Sequence, residues 1–258
     1  MNGLSSEELV QVTIKKGIHK VEISQRERMP LAFMGGLYIA LGYLAYIRVN
    51  AILPEEWSSF GSFLGASVFP VGLILLLIAG GELLTGNMMA VGMAMAARKV
   101  SWIDLVKNWT VVALFNLIGA IFVAYFFGHV VGLTEGAYLA ETLHVAHAKV
   151  DANFLQAFFS GIGCNILVGV AVFLSYGSKN YTDRALVTWF PVMTFVLIGF
   201  QHVVANFFVI PAAIFAGGDI TWMDFLWNVI PVLLGNAVGG AVIIGALYQQ
   251  VFDSSTVK

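Results

Sequence analysis

Two long apolar stretches of this chain are interrupted by the same polar pattern. The first, residues 62–97, contains Gly80-x-Glu82 followed by Asn87. The second, residues 185–216, contains Gly199-x-Gln201 followed by Asn206, with His202 inside the pattern, and the copies stand 119 residues apart. Each stretch exceeds the roughly 20 residues that one helix needs to cross a bilayer. Backbone that leaves the helix at membrane depth must be satisfied by surrounding protein or by a water-filled cavity. Two such breaks, one per half of the chain, point to a permeation site between structural repeats.

Composition agrees. Only 11% of the 258 residues are charged and 59% are hydrophobic, where a soluble domain carries about 25% charged residues. Further apolar runs at 30–49, 105–131, 154–176 and 224–252 bring the expected number of spans to six. Lysine and arginine are segregated between the connecting segments. Lys15, Lys16, Lys20, Arg26, Arg28, Arg98, Lys99, Lys107, Lys179, Arg184 and Lys258 fall on one side, and only Arg48 and Lys149 on the other. That bias predicts both termini in the cytoplasm. Lys149, a cation on the cation-poor side beside the start of the fourth span, needs a local reason.

The third and sixth spans match as well. Asn108-x7-Asn116-x2-Gly119 aligns with Asn228-x7-Asn236-x2-Gly239 at an offset of 120. Three spans per half is an odd number, so the second half enters the membrane upside down. The expected fold class is an all-α integral membrane protein, an inverted repeat of three plus three spans with helices 2 and 5 broken. One transmembrane transport domain is expected. It divides into an N-terminal amphipathic cytoplasmic segment (1–29), a first repeat (30–131), a second repeat (151–252) and a cytoplasmic tail (253–258). Residues 1–29 hold no apolar core with a cleavage site, so the first span is expected to act as the insertion signal. Val10, Ile14, Ile18 and Val21 share one face of a helix expected to lie on the bilayer or against a neighbouring subunit. The glycines inside spans, Gly36 and Gly239 among them, are expected to let helix backbones approach closely.

Several function classes are excluded or weakened. A net charge of −2 speaks against a nucleic-acid partner. Cys164 is the single cysteine, and His144-x-x-His147 has no third strong ligand, so no metal site is expected. No phosphate loop, nucleophile elbow or zinc-protease motif is present, so neither an enzyme nor a cofactor is expected.

Among residues at depth, His202 is the sharpest candidate, because an ionisable side chain inside a broken span is functional by default. Asn87 and Asn206 follow the breaks and are expected to cap the half-helices after them, a role compatible with lining a pore. Glu82 is expected to support the break, with a proton-carrying role as the alternative. Thr85 offers a hydroxyl to a passing anion or to freed backbone. Asn165 needs a hydrogen-bond partner, from another helix or from substrate. Lys149 is expected to focus positive potential into a mouth or to snorkel at the interface.

At these residues the chain resembles the formate/nitrite transporter family. The matching segments are Gly81-Glu82-Leu83-Leu84-Thr85-Gly86-Asn87, Lys107-Asn108-Trp109 with Asn116-Leu117-Ile118-Gly119, Gly163-Cys164-Asn165, and Gly199-Phe200-Gln201-His202 through Ala205-Asn206, followed by Ile210-Pro211. The resemblance implies an aquaporin-like protomer, a homopentamer with one pore per protomer, and an inner (plasma) membrane location. It implies a small weak-acid anion as substrate, formate first, with nitrite, lactate, acetate or hydrosulfide as alternatives. It makes His202 the central pore histidine, Lys149 the vestibule lysine, and Thr85 and Asn165 their polar partners. Phe69, Leu73 and Phe195 would form the constriction on one side of His202, and Leu83 on the other. The family usually has Glu before the central His, where this chain has Gln201, which bears on proton coupling. A proton-coupled transporter is the first expectation, and a pH-gated anion channel the second. A water channel is more distant, because the paired Asn-Pro-Ala of aquaporins is absent.

Overall fold

The computed structural model describes residues 4–252; the expected tail at 253–258, with Lys258, lies outside the described residues. All regular structure among the described residues is helical. Helix α1 (Ser6–Glu22) starts at a capping box in which Ser5 and Glu8 exchange side-chain to backbone bonds. That box satisfies two of the amides a helix start leaves free. Its apolar face (Leu9, Val10, Ile14) is buried against the helices Leu84–Ala96 and Phe154–Gly177 of the same chain. The helix therefore packs this part of its apolar face on its own chain. Arg28 closes its C-terminus by donating to the carbonyls of Lys20, Val21 and Ile23.

Among the described residues, five helical segments are long and apolar enough to span a membrane: Gln25–Ala51, Ser58–Ala79, Trp102–Val130, Phe154–Gly177 and Trp222–Phe252. A sixth is the pair Tyr181–Ile198 and Val203–Phe215, bent by 51° at its break. These contain α2 (Gln25–Ala51), α3 (Ser58–Val68), α4 (Val71–Ala79), α6 (Trp102–Phe122), α8 (Phe154–Gly177), α9 (Tyr181–Ile198), α10 (Val203–Phe215), α11 (Trp222–Ala237) and α12 (Leu247–Phe252). Helix α5 (Leu84–Ala96) completes the second span, and α7 (Leu139–Val150) joins the halves.

The second span is interrupted twice, at Phe69–Pro70 and at 80–83. Proline has no N–H for the helix ladder and disrupts the turn before it, so the extra break was written at Pro70. Lys107 and Arg184, placed in loops from the sequence, lie within α6 and α9.

The repeats pair α2 with α8, α4–α5 with α9–α10, and α6 with α11. Small residues set the closest contacts. A Cβ on Gly36 would lie 1.9 Å from the Asn116 carbonyl oxygen, and one on Gly239 would lie 2.4 Å from that of Ile162. These glycines serve packing between the first and third span of each half.

Candidate functional site

The chain leaves the helix at Gly80 (φ 101°) and Gly199 (φ 86°), a region that side chains with a Cβ avoid. The freed backbone is clamped identically in both halves. Asn116 accepts from the Leu84 amide (2.9 Å) and donates to the carbonyls of Glu82 (2.9 Å) and Ala32 (2.6 Å). Asn236 accepts from the Val203 amide (2.9 Å) and donates to the carbonyls of Gln201 (3.0 Å) and Gly161 (2.8 Å). Both side chains are fully buried. They stood out in the sequence as repeat markers, but their clamping role did not.

Asn87 and Asn206 do not cap the helices after the breaks. Asn87 donates to Glu82 Oε2 (2.6 Å) and Asn108 Oδ1 (2.9 Å), and Asn206 donates to Gln201 Oε1 (2.9 Å) and Asn228 Oδ1 (2.8 Å). Each lies one turn too far along to cap and instead ties the break to the third span of its half. The α10 cap is His202, whose Nδ1 accepts from the Ala205 amide at 3.1 Å. At the equivalent position, Leu83 makes no cap bond.

That cap settles the tautomer. An amide donor at Nδ1 requires a bare nitrogen there, so the proton sits on Nε2. Nε2 then donates to Thr85 Oγ1, 2.8 Å away in the other half. The Thr85 O–H is left free to donate elsewhere. The imidazole is thus neutral, 2% exposed, and stacked on Phe195 with centroids 5.8 Å apart.

Each half carries one lysine against its break. Lys20 on α1 and Lys149 on α7 both offer their carbonyl to an asparagine of a third span, Asn108 at 2.8 Å and Asn228 at 2.7 Å. They are equivalent, yet 129 residues separate them, so the constant offsets of 119 and 120 hide the pair. Their ammonium groups differ. Lys20 Nζ is paired with Glu82 Oε1 at 2.7 Å. Beside Lys149 stands Gln201, which bonds the Lys149 carbonyl (3.3 Å), Asn206 and Asn228. No carboxylate pairs with Lys149 among the described residues. Lys149 is 8% exposed, and burial lowers its pKa to about 8.

Two cavities of about 160 Å³ each flank the His202–Thr85 pair. One is lined by Lys16, Lys20, Glu82 and Leu83, the other by Tyr43, His144, Lys149, Phe195 and His202. Phe69 and Leu73 line neither but are almost wholly buried, with Phe69 edge-on to Phe195 at 5.6 Å. Asn165 is fully buried and donates to the carbonyl of Asn236 (2.7 Å) and that of Thr85 (3.3 Å). Its Oδ1 has no partner, leaving one acceptor beside Thr85. The arrangement is two polar vestibules separated by an apolar wall that carries one neutral hydrogen-bonding pair. No group of three or more metal-ligating side chains occurs among the described residues.

This geometry has relatives. The model of the family described as formate/nitrite transporter matches residues 7–249. The chain belongs to the formate/nitrite transporter family. Within that family it is 54% identical to the uncharacterised transporter YrhG of Bacillus subtilis, over 94% of this chain and 91% of the relative. It is 47% identical to the formate channel BtFdhC of Bacillus thuringiensis, over 94% and 93%. A solved pentameric formate channel with formate bound superposes with a TM-score of 0.78 at 33% identity, covering 92% of this chain and 98% of that one. Membership makes the chain a multi-pass membrane protein of a transporter family and not an enzyme.

Proposed function

We propose that this protein passes small weak-acid anions, formate first, across the plasma membrane as a homopentamer with one pore per protomer. The positive-inside bias puts α1 and both termini in the cytoplasm and α7 outside. The observation that carries the reading is the pairing of an unneutralised buried lysine with an apolar wall holding only a neutral His–Thr pair. The lysine draws an anion in, and the wall stops it as an anion. The idealised Born cost of taking such an ion from water to a dielectric near 4 is roughly 20 kcal/mol. A weak acid avoids that by gaining a proton in the vestibule and crossing neutral. In the wall, Thr85 donates to the carbonyl of the acid and Asn165 Oδ1 accepts its hydroxyl. His202 acts as cap and positioning donor, because protonating Nδ1 would break the cap.

Proteoliposomes with a trapped pH dye test this. Formate added outside should acidify the lumen faster with wild type than in protein-free vesicles. His202→Phe, which removes both cap and donor, should lose at least tenfold in rate, about 1.4 kcal/mol. His202→Asn, whose side chain can also cap, should stay within a few-fold of wild type. Flux of labelled formate without lumen acidification would replace the proton-coupled reading by a gated anion channel.

Lys149 makes a separate pH prediction. Its cation is present below about 8 and lost as outer pH rises through that value. For an anion about 10 Å away at an effective dielectric near 20, one charge is worth about 1.7 kcal/mol, or about 16-fold in affinity. Formate KM should therefore rise as outer pH passes 8. Lys149→Arg, which stays charged, should remove that step while leaving any fall in turnover from proton scarcity. A step that persists in the arginine variant would assign it to another group.

A further inference from the structure

The vestibule beside Lys149 adjoins a second cavity, larger and more polar, on the same face. Its volume is about 410 Å³, and its walls include Asn50 of α2, Ser58 and Ser62 of α3, and Glu141 of α7. Tyr46 and His144 line both cavities, and His144 is also exposed to solvent. Glu141 and His144 stand three residues apart on α7, on one face of the helix. Nothing in the anion pathway described above uses the acid.

The chemistry of this cavity is that of a proton reservoir. Both polar atoms of the Asn50 side chain are buried without a hydrogen bond of good geometry. A polar cavity of this size with such groups on its wall takes up water. Glu141 is half-buried, and burial raises its pKa above the ordinary carboxylate value, against the opposing pull of His144 and of the Asn50 amide. The other titratable groups around it are Tyr43 and Tyr46 from α2, with Lys149 on its own helix. Arg48 is held elsewhere, stacked 3.4 Å over the Tyr138 ring. Loading an anion in the vestibule needs a donor there, and His202 is committed to its cap. Free protons at pH 7, arriving with a rate constant of about 10¹⁰ M⁻¹ s⁻¹, supply a site no faster than roughly 1,000 per second.

We propose that Glu141 and His144 are a proton-loading pair that collects protons from outside through the Asn50 cavity and passes them to the anion held beside Lys149. In the transfer an N–H bond of the His144 imidazolium breaks as an O–H bond forms on the carboxylate of the substrate. Neutral His144 then takes the proton of the Glu141 carboxylic acid, and the Glu141 carboxylate takes a proton from hydronium that enters the cavity from outside, leaving water. This rests on the reading that the substrate crosses as the neutral acid.

The test compares lumen acidification by wild type, Glu141→Gln, His144→Gln and the double variant in vesicles with a lightly buffered outer medium. Each variant should be several-fold slower than wild type. Abundant membrane-impermeant buffer outside should restore them, because it supplies protons by another route. Variants as fast as wild type in light buffer, or a loss that added buffer does not repair, would overturn the inference. Wild type that moves labelled formate with no acidification would instead refute the neutral-acid reading itself, and the loading pair with it. That result comes from wild type alone, so the two failures are told apart.

Discussion

Asn236→Leu should be the most destabilising substitution of a single polar side chain in this protein, with Asn116→Leu close behind. Leucine has a similar volume but none of the bonds. It would leave the Val203 amide and the carbonyls of Gln201 and Gly161 without the partner they have now. The Gly161 carbonyl keeps its bond within α8, but a buried backbone group left unsatisfied costs about 1–3 kcal/mol, so the other two amount to roughly 2–6 kcal/mol. That is a large share of the roughly 5–15 kcal/mol that separates folded from unfolded domains. At about 2–4 °C per kcal/mol for a chain of this size, the melting temperature in detergent should fall by at least about 4 °C, or the assembly should not be recovered. The loss should exceed that of Asn206→Leu, whose bonds join side chains to one another and leave no backbone group unpaired. A variant of Asn236 that melts within a couple of degrees of wild type would show that water satisfies the break unaided.

These asparagines also mark where sequence reasoning stopped. The breaks themselves were legible, because Gly80 and Gly199 interrupt runs that have no other reason to stop being helical. The inversion was legible because three spans per half leave no other arrangement. What an asparagine near a break does was not legible, since Asn87 and Asn116 differ only in which helix carries them. Local spacing favoured the nearer one as a cap, but the clamp comes from 32 residues away. The histidine cap was equally hidden, because His is not among the residues favoured there. The role of Lys20 is hidden in the sequence for a different reason. It sits on a helix whose charge pattern reads as a solvated face, and its relation to Lys149 appears only when α1 and α7 are seen against equivalent breaks. Phe69, Leu73 and Phe195 follow from the family resemblance alone, since no local spacing says that Phe69 lies edge-on to Phe195.

The equivalence of those two lysines yields the prediction with the largest effect on transport. One position decides whether each lysine is a free charge. In the first half Glu82 neutralises Lys20 at 2.7 Å while its other oxygen accepts from Asn87. In the second half the same position is Gln201, whose oxygen accepts from Asn206 and Asn228 and whose nitrogen donates to the Lys149 carbonyl. Gln201→Glu keeps the first two bonds and replaces the nitrogen by an oxygen, which that carbonyl repels. The new oxygen then turns to the Lys149 ammonium, as Glu82 does to that of Lys20. Pairing should raise outer formate KM about 16-fold, the value of the lost charge, and move its pH step upward from about 8. Glu82→Gln should do the converse on the α1 side, freeing Lys20 and lowering KM for efflux. Initial rates of influx and efflux in right-side-out membrane vesicles measure both. A Gln201→Glu variant with unchanged outer KM and an unmoved pH step would mean that the Lys149 charge is already screened, and the unpaired lysine would then have no part in drawing in the anion. If both shifts appear, one amide decides which of the two lysines is a free charge beside its break.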